Sequence, residues 1–560
     1  MSRQHGFLII NAIVIIVIFA ITTTMLVSIY IRAAISSNYL VAASKASAAA
    51  ESGLQQGLRN LTYDTISSRQ TCGALSNTTA IATGNFTVID ATDEGTNPRY
   101  ASSPLTTFIA AAGTPATIVV ANSGVFSPSG GRVLIGREVF QYKRLADATT
   151  LTGISRAQDG TLSNAHLANA LVSQFQCTMA VTGNSPATTP AGVRQYKQGV
   201  QQQTVFTAGA GGTILRWDSD TAPLVWQSMS PGTFVFNAIS ALNYHSAWAV
   251  ADDGGNNAWR LSRLHGNTWA NITITQGAMG QPARNLYGVY ATSDQEAWAV
   301  GQLGSGNTFT ILRWIQDGAN TNANWCDLPC TTKTVANGTT ANAERELFAV
   351  KTIDTNNDGF ADMGYAAGGQ GGTGGGNRGI VMSYNGTQWA EIASYPATTN
   401  RIGQLYGVDI VVNGAAAPKD AYFVGRSSLN NNDGKILSLR DGVWTVTTTT
   451  TQMRSVSVVD MDGDGYAEFG AAVGLDGAAY TYDGTTWTGP NVITTEDLYG
   501  VHALSSTDVW VVGTNGSRFH YDGVTLISLV TGAATGNILR GLSAIYPQQS
   551  AISSWYDVIN

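Results

Sequence analysis

Two nine-residue segments concentrate oxygen ligands. Residues 354–362 read DTNNDGFAD and residues 460–468 read DMDGDGYAE. Both follow D-x-[DN]-x-D-G-x-x-[DE]. In a tight loop the side chains at positions one, three and five converge on one point, and glycine at six permits the sharp turn. A main-chain carbonyl at seven and a carboxylate at nine can then complete the roughly six to eight oxygens that a calcium ion takes. The role implied is structural: rigid loops that resist proteolysis outside the cell. An EF-hand is excluded, because Tyr365 and Ala471 stand where its twelfth-position glutamate would be. The competing reading is a pair of water-solvated Asx turns. Against it stands the mutual repulsion of the four acidic groups in 460–468 when no cation is present.

The elements that must position these loops belong to a repeat beginning near Thr204. One arm is Leu-x-Gly-Val: LYGV at 286–289, 405–408 and 498–501, with looser copies LFAV at 347–350 and LRGL at 539–542. A second arm is AWAV at 247–250 and 297–300, AYFVG at 421–425 and VWVVG at 509–513. A turn closing on tryptophan follows in LHGNTW (264–269), YNGTQW (384–389), RDGVW (440–444) and YDGTTW (482–487), with YDGVTL (521–526) a degenerate copy. Asn-Gly and Asp-Gly suit tight hairpins in which both central residues take φ > 0. Three or four short strands in every forty to sixty residues or so is the signature of a β-propeller. Seven units are expected, near 204–229, 235–273, 285–328, 345–393, 403–448, 453–490 and 497–530. The first unit lacks the Leu-x-Gly-Val arm, and 538–547 supplies an arm with no blade after it. The two ends are therefore expected to share a blade and close the ring, which removes open sheet edges. Six or eight blades, or an open solenoid, are the alternatives. Trp248, Trp298 and Trp510, in the second arm, are expected as wedges between blades rather than sugar platforms.

Both acidic loops fall between the first and second strands of their units. In position and pattern they resemble the FG-GAP calcium loops of integrin-type propellers. The resemblance implies two Ca2+ sites. One would be held by Asp354, Asn356, Asp358, the Phe360 carbonyl and Asp362, the other by Asp460, Asp462, Asp464, the Tyr466 carbonyl and Glu468.

The N-terminus carries a second signal. A polar leader, MSRQHG, precedes an apolar run from Phe7 to Ile31, and the helical pattern continues through AASKASAAAESGLQQGLRNL to Leu61. The run is long enough to cross a bilayer, and no A-x-A-like cleavage site follows it. A short leader ending in glycine, an aromatic residue, an apolar helix and an alanine-rich extension resemble type IV prepilins, most closely the minor pilins. The resemblance implies cleavage after Gly6, a methylated mature N-terminus at Phe7, and assembly with other pilins through the helix. The fifth mature position, glutamate in most of the family, is Asn11 here. An amide cannot neutralise a buried α-amino group, and the family tolerates this loss best at a filament tip. A plain membrane anchor with Arg3 on the cytoplasmic side is the alternative.

The expected fold class is mainly β, with a leader at 1–6, a pilin helix at 7–61 (7–31 membrane-spanning) and a β-rich pilin-like head at 62–181. A linker at 182–203 and a β-propeller at 204–550 complete it. The head rests on the alternation in NFTVID, ATIVVA, RVLIGREVFQYKRL and ALVSQFQC, with 153–166 read as a loop. The linker rests on TGNSPATTPAG, which has two prolines and no large apolar residue. Only 12% of the 560 residues are charged, the net charge is −7 and glycine (62) is abundant. This suits a turn-rich extracellular protein, and the absence of a basic cluster argues against nucleic acid as a partner. The four cysteines of an exported chain suggest disulfides. A local Cys326–Cys330 bridge would leave Cys72 to pair with Cys177, four free thiols being the alternative, and no neighbouring histidine supports zinc. The six histidines are scattered and no catalytic motif is visible, so no enzymatic activity is expected. The function expected is a minor or tip subunit of a type IV pilus or related filament. It would reside in the inner membrane before assembly and on the cell surface afterwards, where the propeller meets a glycan, a surface or a protein. An abundant pilin whose propellers sheathe the fibre and a membrane-tethered propeller hydrolase or lyase acting on glycans are the alternatives.

Overall fold

The structure is a computed structural model. It describes residues 3–558 except 64–76, 82–83, 91–101, 111, 129, 137, 159–162, 164, 176, 187–191, 202, 219–225, 253–257, 276–284, 303–309, 316–324, 328–335, 338–344, 357, 371–378, 393–401, 412–418, 429–432, 530–535, 546–547 and 550–553. The side chains of Phe7, Asn11 and Cys177, and residues Cys72 and Cys330, lie outside the described set, as does the Cys326 side chain. The expected disulfides and the assembly position therefore fall outside it.

One helix runs from Arg3 to Leu58 and is long and apolar enough to cross a membrane. Its outer half presents Ile16, Phe19, Leu26 and Tyr30 on the surface, with no protein packed against them. From Ala46 onward one face is buried against an antiparallel sheet of strands Asn77–Ile81, Gly84–Asp90, Cys177–Ser185, Gly192–Gln201, Gln548–Gln549 and Ser554–Val558. Ala50, Leu54 and Leu58 of the helix meet Phe86, Val88, Met179 and Val181 of the sheet.

The segment expected as a linker, 182–203, is a correction. Most of it is two paired strands, in register from Cys177↔Val200 to Ser185↔Gly192. It carries few large apolar residues because the helix face it meets is alanine and glycine. A Cβ at Gly183 would collide with the Ala46 carbonyl and lie 2.5 Å from the Ala50 nitrogen. The end of the chain also departs from expectation. Strand Ser554–Val558 returns to the head sheet and pairs with Val193–Lys197, so the propeller is inserted into this sheet rather than appended after it.

Residues 102–175 form a second insertion, between strands 84–90 and 177–185. Strands Ser102–Pro104, Leu171–Gln174, Gly131–Ile135, Glu138–Tyr142 and Ser155–Gln158 make one sheet, and a three-stranded sheet covers it. Leu105, Ile118, Val133, Phe140 and Val172 are its core. Strand Ser155–Gln158 lies in the stretch expected to be a loop.

From Thr204 to Ile545 the described residues form seven successive sheets of four or five strands, in the arrangement of a β-propeller. The sheet holding Thr204–Gly209 takes its inner strand, Leu539–Ile545, from the far end of the chain. Tryptophans of the second arm wedge neighbouring blades as expected. Trp248 packs on Trp314 and Trp325, Trp298 on Tyr384 and Trp389, and Trp510 of the last sheet on Trp217 and Trp226 of the first. The glycine of Leu-x-Gly-Val has a steric cause. A Cβ at Gly288 would lie 2.7 Å from the Phe348 carbonyl, and one at Gly541 2.7 Å from the Ile239 nitrogen, because inner strands of adjacent blades nearly touch. Of the hairpin turns YNGTQW, RDGVW, YDGTTW and YDGVTL, Asp441-Gly442 has both residues at positive φ. In the others Asn385, Asp483 and Asp522 accept backbone N–H groups two and three residues on, an Asx turn with glycine alone at positive φ.

The 102–175 insertion sits on the propeller face formed by loops between first and second strands. Asn243 Nδ2 donates to the Gly136 carbonyl, Gln295 to the Ala165 carbonyl, and His265 Nε2 contacts the Asn169 carbonyl. At the centre, buried His166 lies 2.9 Å from Glu138 and 3.3 Å from Asp294 of the propeller. Arg156 forks onto Glu138, and Arg263 of the preceding blade acts electrostatically on Asp294. Burial alone would lower the His166 pKa, but hydrogen bonds and charge from Asp294 and Glu138 outweigh it and raise it above the usual 6.5. A raised pKa means that the stabilisation is full below 6.5 and is lost as pH rises through the folded-state value. The protection of amides in residues 102–175, expressed relative to intrinsic exchange at each pH, is therefore expected to fall between neutral and alkaline pH, and this fall to vanish in His166→Gln. Equal exchange in both proteins at every pH would contradict the linkage.

Candidate functional site

The two acidic loops occupy equivalent places. Residues 354–362 join strands Arg345–Ile353 and Met363–Gln370, and 460–468 join Met453–Val459 and Phe469–Gly474, the first and second strands of their blades. Their internal hydrogen bonds match position by position. The first aspartate accepts from the glycine at six: Gly359 N to Asp354 at 2.7 Å, Gly465 N to Asp460 at 2.8 Å. The third-position side chain accepts from the fifth residue's nitrogen, Asp358 N to Asn356 and Asp464 N to Asp462. The fifth accepts from the seventh, Phe360 N to Asp358 and Tyr466 N to Asp464. The ninth closes on the start, Thr355 N to Asp362 and Met461 N to Glu468. Gly359 and Gly465 take φ of 89° and 91°, which only glycine adopts without strain.

These bonds turn the carboxylates inward. In the second loop one oxygen from each of Asp460, Asp462, Asp464 and Glu468 lies within 4.8 Å of all the others, a spacing and donor chemistry that fit a hard divalent cation. The first loop offers Asp354, Asp358 and Asp362 with the amide of Asn356, one negative charge fewer. Cations flank the second loop: Lys419 donates to the Asp464 carbonyl at 2.8 Å, and Lys419 and Arg440 both lie over the Tyr466 ring.

A set of residues missed in the sequence holds the loops to their neighbours. Glu296, at the start of the second strand in the preceding blade, accepts from Ala361 N at 2.6 Å while pairing with Arg313. Asp420 does the same for Ala467 N at 3.0 Å, with Arg440 3.4 Å away. Asp508 occupies that place in the last sheet and accepts from Gln203, His520 and Trp510. The signal was an acid two residues before the aromatic of the second arm, in EAW, DAY and DVW. Ser293 also donates to the Gly359 carbonyl, so the first loop abuts the segment that docks the 102–175 insertion.

No protein-family model and no curated protein matches the chain. Similar solved structures include YCF48 from Cyanidioschyzon merolae, at 15% identity over 59% of this chain and 91% of that one, with a TM-score of 0.37. A protein from Lactobacillus plantarum gives 13% identity over 61% and 99%, TM-score 0.41. The six-bladed fucose-recognising lectin of Aleuria aurantia gives 11% over 62% and 92%, TM-score 0.32. At these scores the likeness carries no argument, and the propeller reading rests on the strand pairing above.

A calcium ion bound in these loops would have a measurable consequence. A cation at about 100 times its Kd adds about 2.7 kcal/mol per site, so calcium is expected to raise the melting temperature over that in chelator. Asp460→Asn with Asp464→Asn is expected to remove about half the rise. An unchanged melting temperature in chelator would leave two Asx turns and no metal.

Proposed function

We propose that this chain is a minor or tip subunit of a type IV pilus or related filament, and that it presents a calcium-stabilised β-propeller, closed as seven blades, for adhesion. The observation that carries this reading is the way the propeller is mounted. An apolar helix, its described side chains exposed from Ile16 to Val41, packs on a sheet from Ala46 onward, and the propeller enters and leaves through adjacent strands of that sheet. Gln201 pairs with Gln548 and Thr204 with Ile545, so a two-stranded ribbon runs from the helix-packed unit into the first blade. A mount of this kind holds a large domain in fixed orientation to a helix that inserts elsewhere. Asn11, where most of the pilin family has glutamate, fits a subunit with nothing stacked above it. The presented surface is the adhesin, and calcium at the two loops protects it outside the cell.

Because the ribbon's ends are paired, residues 204–545 can be replaced by a tight Asn-Gly turn. The replaced protein is expected to reach sheared filaments at the same copy number while attachment of the cells to their surface is lost. Normal attachment by that strain would end the adhesin reading.

A further inference from the structure

The seven inner strands converge on one cavity of about 260 Å³. Its rim is built by a device repeated in every blade. In each inner strand the register to the second strand shifts across the residue after the first arm position, a β-bulge: between Leu286 and Gly288, Leu347 and Ala349, Leu405 and Gly407, Met453 and Ser455, Leu498 and Gly500, and likewise in the other two. A bulge re-aims one side chain out of the pleat. The x of Leu-x-Gly-Val is thereby a ring position at the mouth of the central channel.

What stands there is unlike a structural plug. Four positions are aromatic: Tyr287, Phe348, Tyr406 and Tyr499. Tyr287 stacks on Phe348 at 5.1 Å, and Phe348 meets Tyr406 edge to face at 5.3 Å, forming a continuous wall. Opposite the Tyr287–Phe348 end, the Arg454 guanidinium lies 4.2 Å over Tyr406 and 5.7 Å from Tyr499. Its Nε is buried with no hydrogen-bond partner, and among the described residues no carboxylate comes within ion-pair distance of it. The second cation, Arg540, is already engaged. It donates to Asn237 at 2.5 Å and lies 3.9 Å from Asp252. Deeper in the channel Lys351 is spoken for by Asp409. One guanidinium at the mouth is thus held in place by aromatic faces and left without an acceptor.

The mouth opens at the start of the inner strands. The 102–175 insertion docks at their other end, through 243–245 and 292–295, so the rim faces away from the helix-packed unit.

We propose that this rim binds the carboxylate of an acidic sugar of the hexuronate class. The carboxylate takes the fork of Arg454, which matches it in a bidentate geometry, and the sugar's apolar face lies on the Tyr287–Phe348–Tyr406 wall. Tyrosine hydroxyls at the rim supply partners for its hydroxyls. The cavity lies just below the range of about 300–1,000 Å³ typical of drug-sized ligands, which suits a single sugar residue. This names a ligand class for the propeller and relies on the proposed function only for its biological use.

The test is calorimetric titration of the full-length protein in detergent with galacturonate, galactose and benzoate. Galacturonate is expected to bind, more weakly at high salt, with galactose at least tenfold weaker. Arg454→Met is expected to lower galacturonate affinity at least tenfold with an unchanged melting temperature, and Arg454→Lys to restore part of it. Should Arg454→Met fail to fold, Tyr406→Ala, which removes the stacking face, is expected to weaken binding in the same way. Equal binding of galactose, or unchanged affinity in both variants, would overturn the proposal. Binding of benzoate without galacturonate would overturn the sugar assignment. Failure of galacturonate to bind leaves the filament reading standing. Binding that Arg454→Met abolishes, with cell attachment unaffected, instead counts against the adhesin reading and leaves the site.

Discussion

The pairing of Leu539–Ile545 with Thr204–Gly209 is the constraint on which the rest of the molecule leans. Without it the first sheet lacks its inner strand and the last sheet's Trp510 loses Trp217 and Trp226 as packing partners. The same pairing sets the chain's two crossings side by side, so the strands that close the blades also continue into the sheet on the helix. The pairing that completes the first sheet and the pairing that mounts it on the helix-packed unit follow one another along the same two segments. The first joins residues more than three hundred positions apart, so its loop-closure cost exceeds that of the local hairpins that make the other six sheets. Carboxylate braces from Glu296, Asp420 and Asp508 also hold neighbouring blades together.

The repeat made most of the propeller legible. Its arms are steric and apolar requirements that recur with each blade, so unit boundaries read from the sequence fall within a few residues of the sheets. The loops at 354–362 and 460–468 were placed between first and second strands for the same reason. The head was less legible. Its sheet is assembled from segments on either side of two insertions, and no local pattern announces that 193–197 will meet 554–558. The segment 182–203 looked like a linker because polar and small residues suffice where the opposing helix face is Ala46, Ala50 and Gly53. The mouth of the channel was invisible for the opposite reason. A ring position that reads asparagine, tyrosine, phenylalanine and arginine from blade to blade has no periodicity, and the bulges that aim those side chains inward are a property of the backbone.

The two propeller faces have separate work. The face with the acidic loops holds the 102–175 insertion, through His166 and its two carboxylates, and the first loop touches that junction through Ser293 and Gly359. The opposite face carries the aromatic rim and Arg454. A chain of net charge −7 thus keeps, in the cavity opposite the 102–175 insertion, a cation with no carboxylate partner among the described residues.

The central claim is that the chain is processed and assembled as a scarce filament subunit. Intact mass, N-terminal residue and copy number of the protein in filaments sheared from the cell surface test it most directly. The account predicts a chain beginning at methylated Phe7 and scarce against a major pilin. A chain beginning at Met1 and confined to membranes would contradict it.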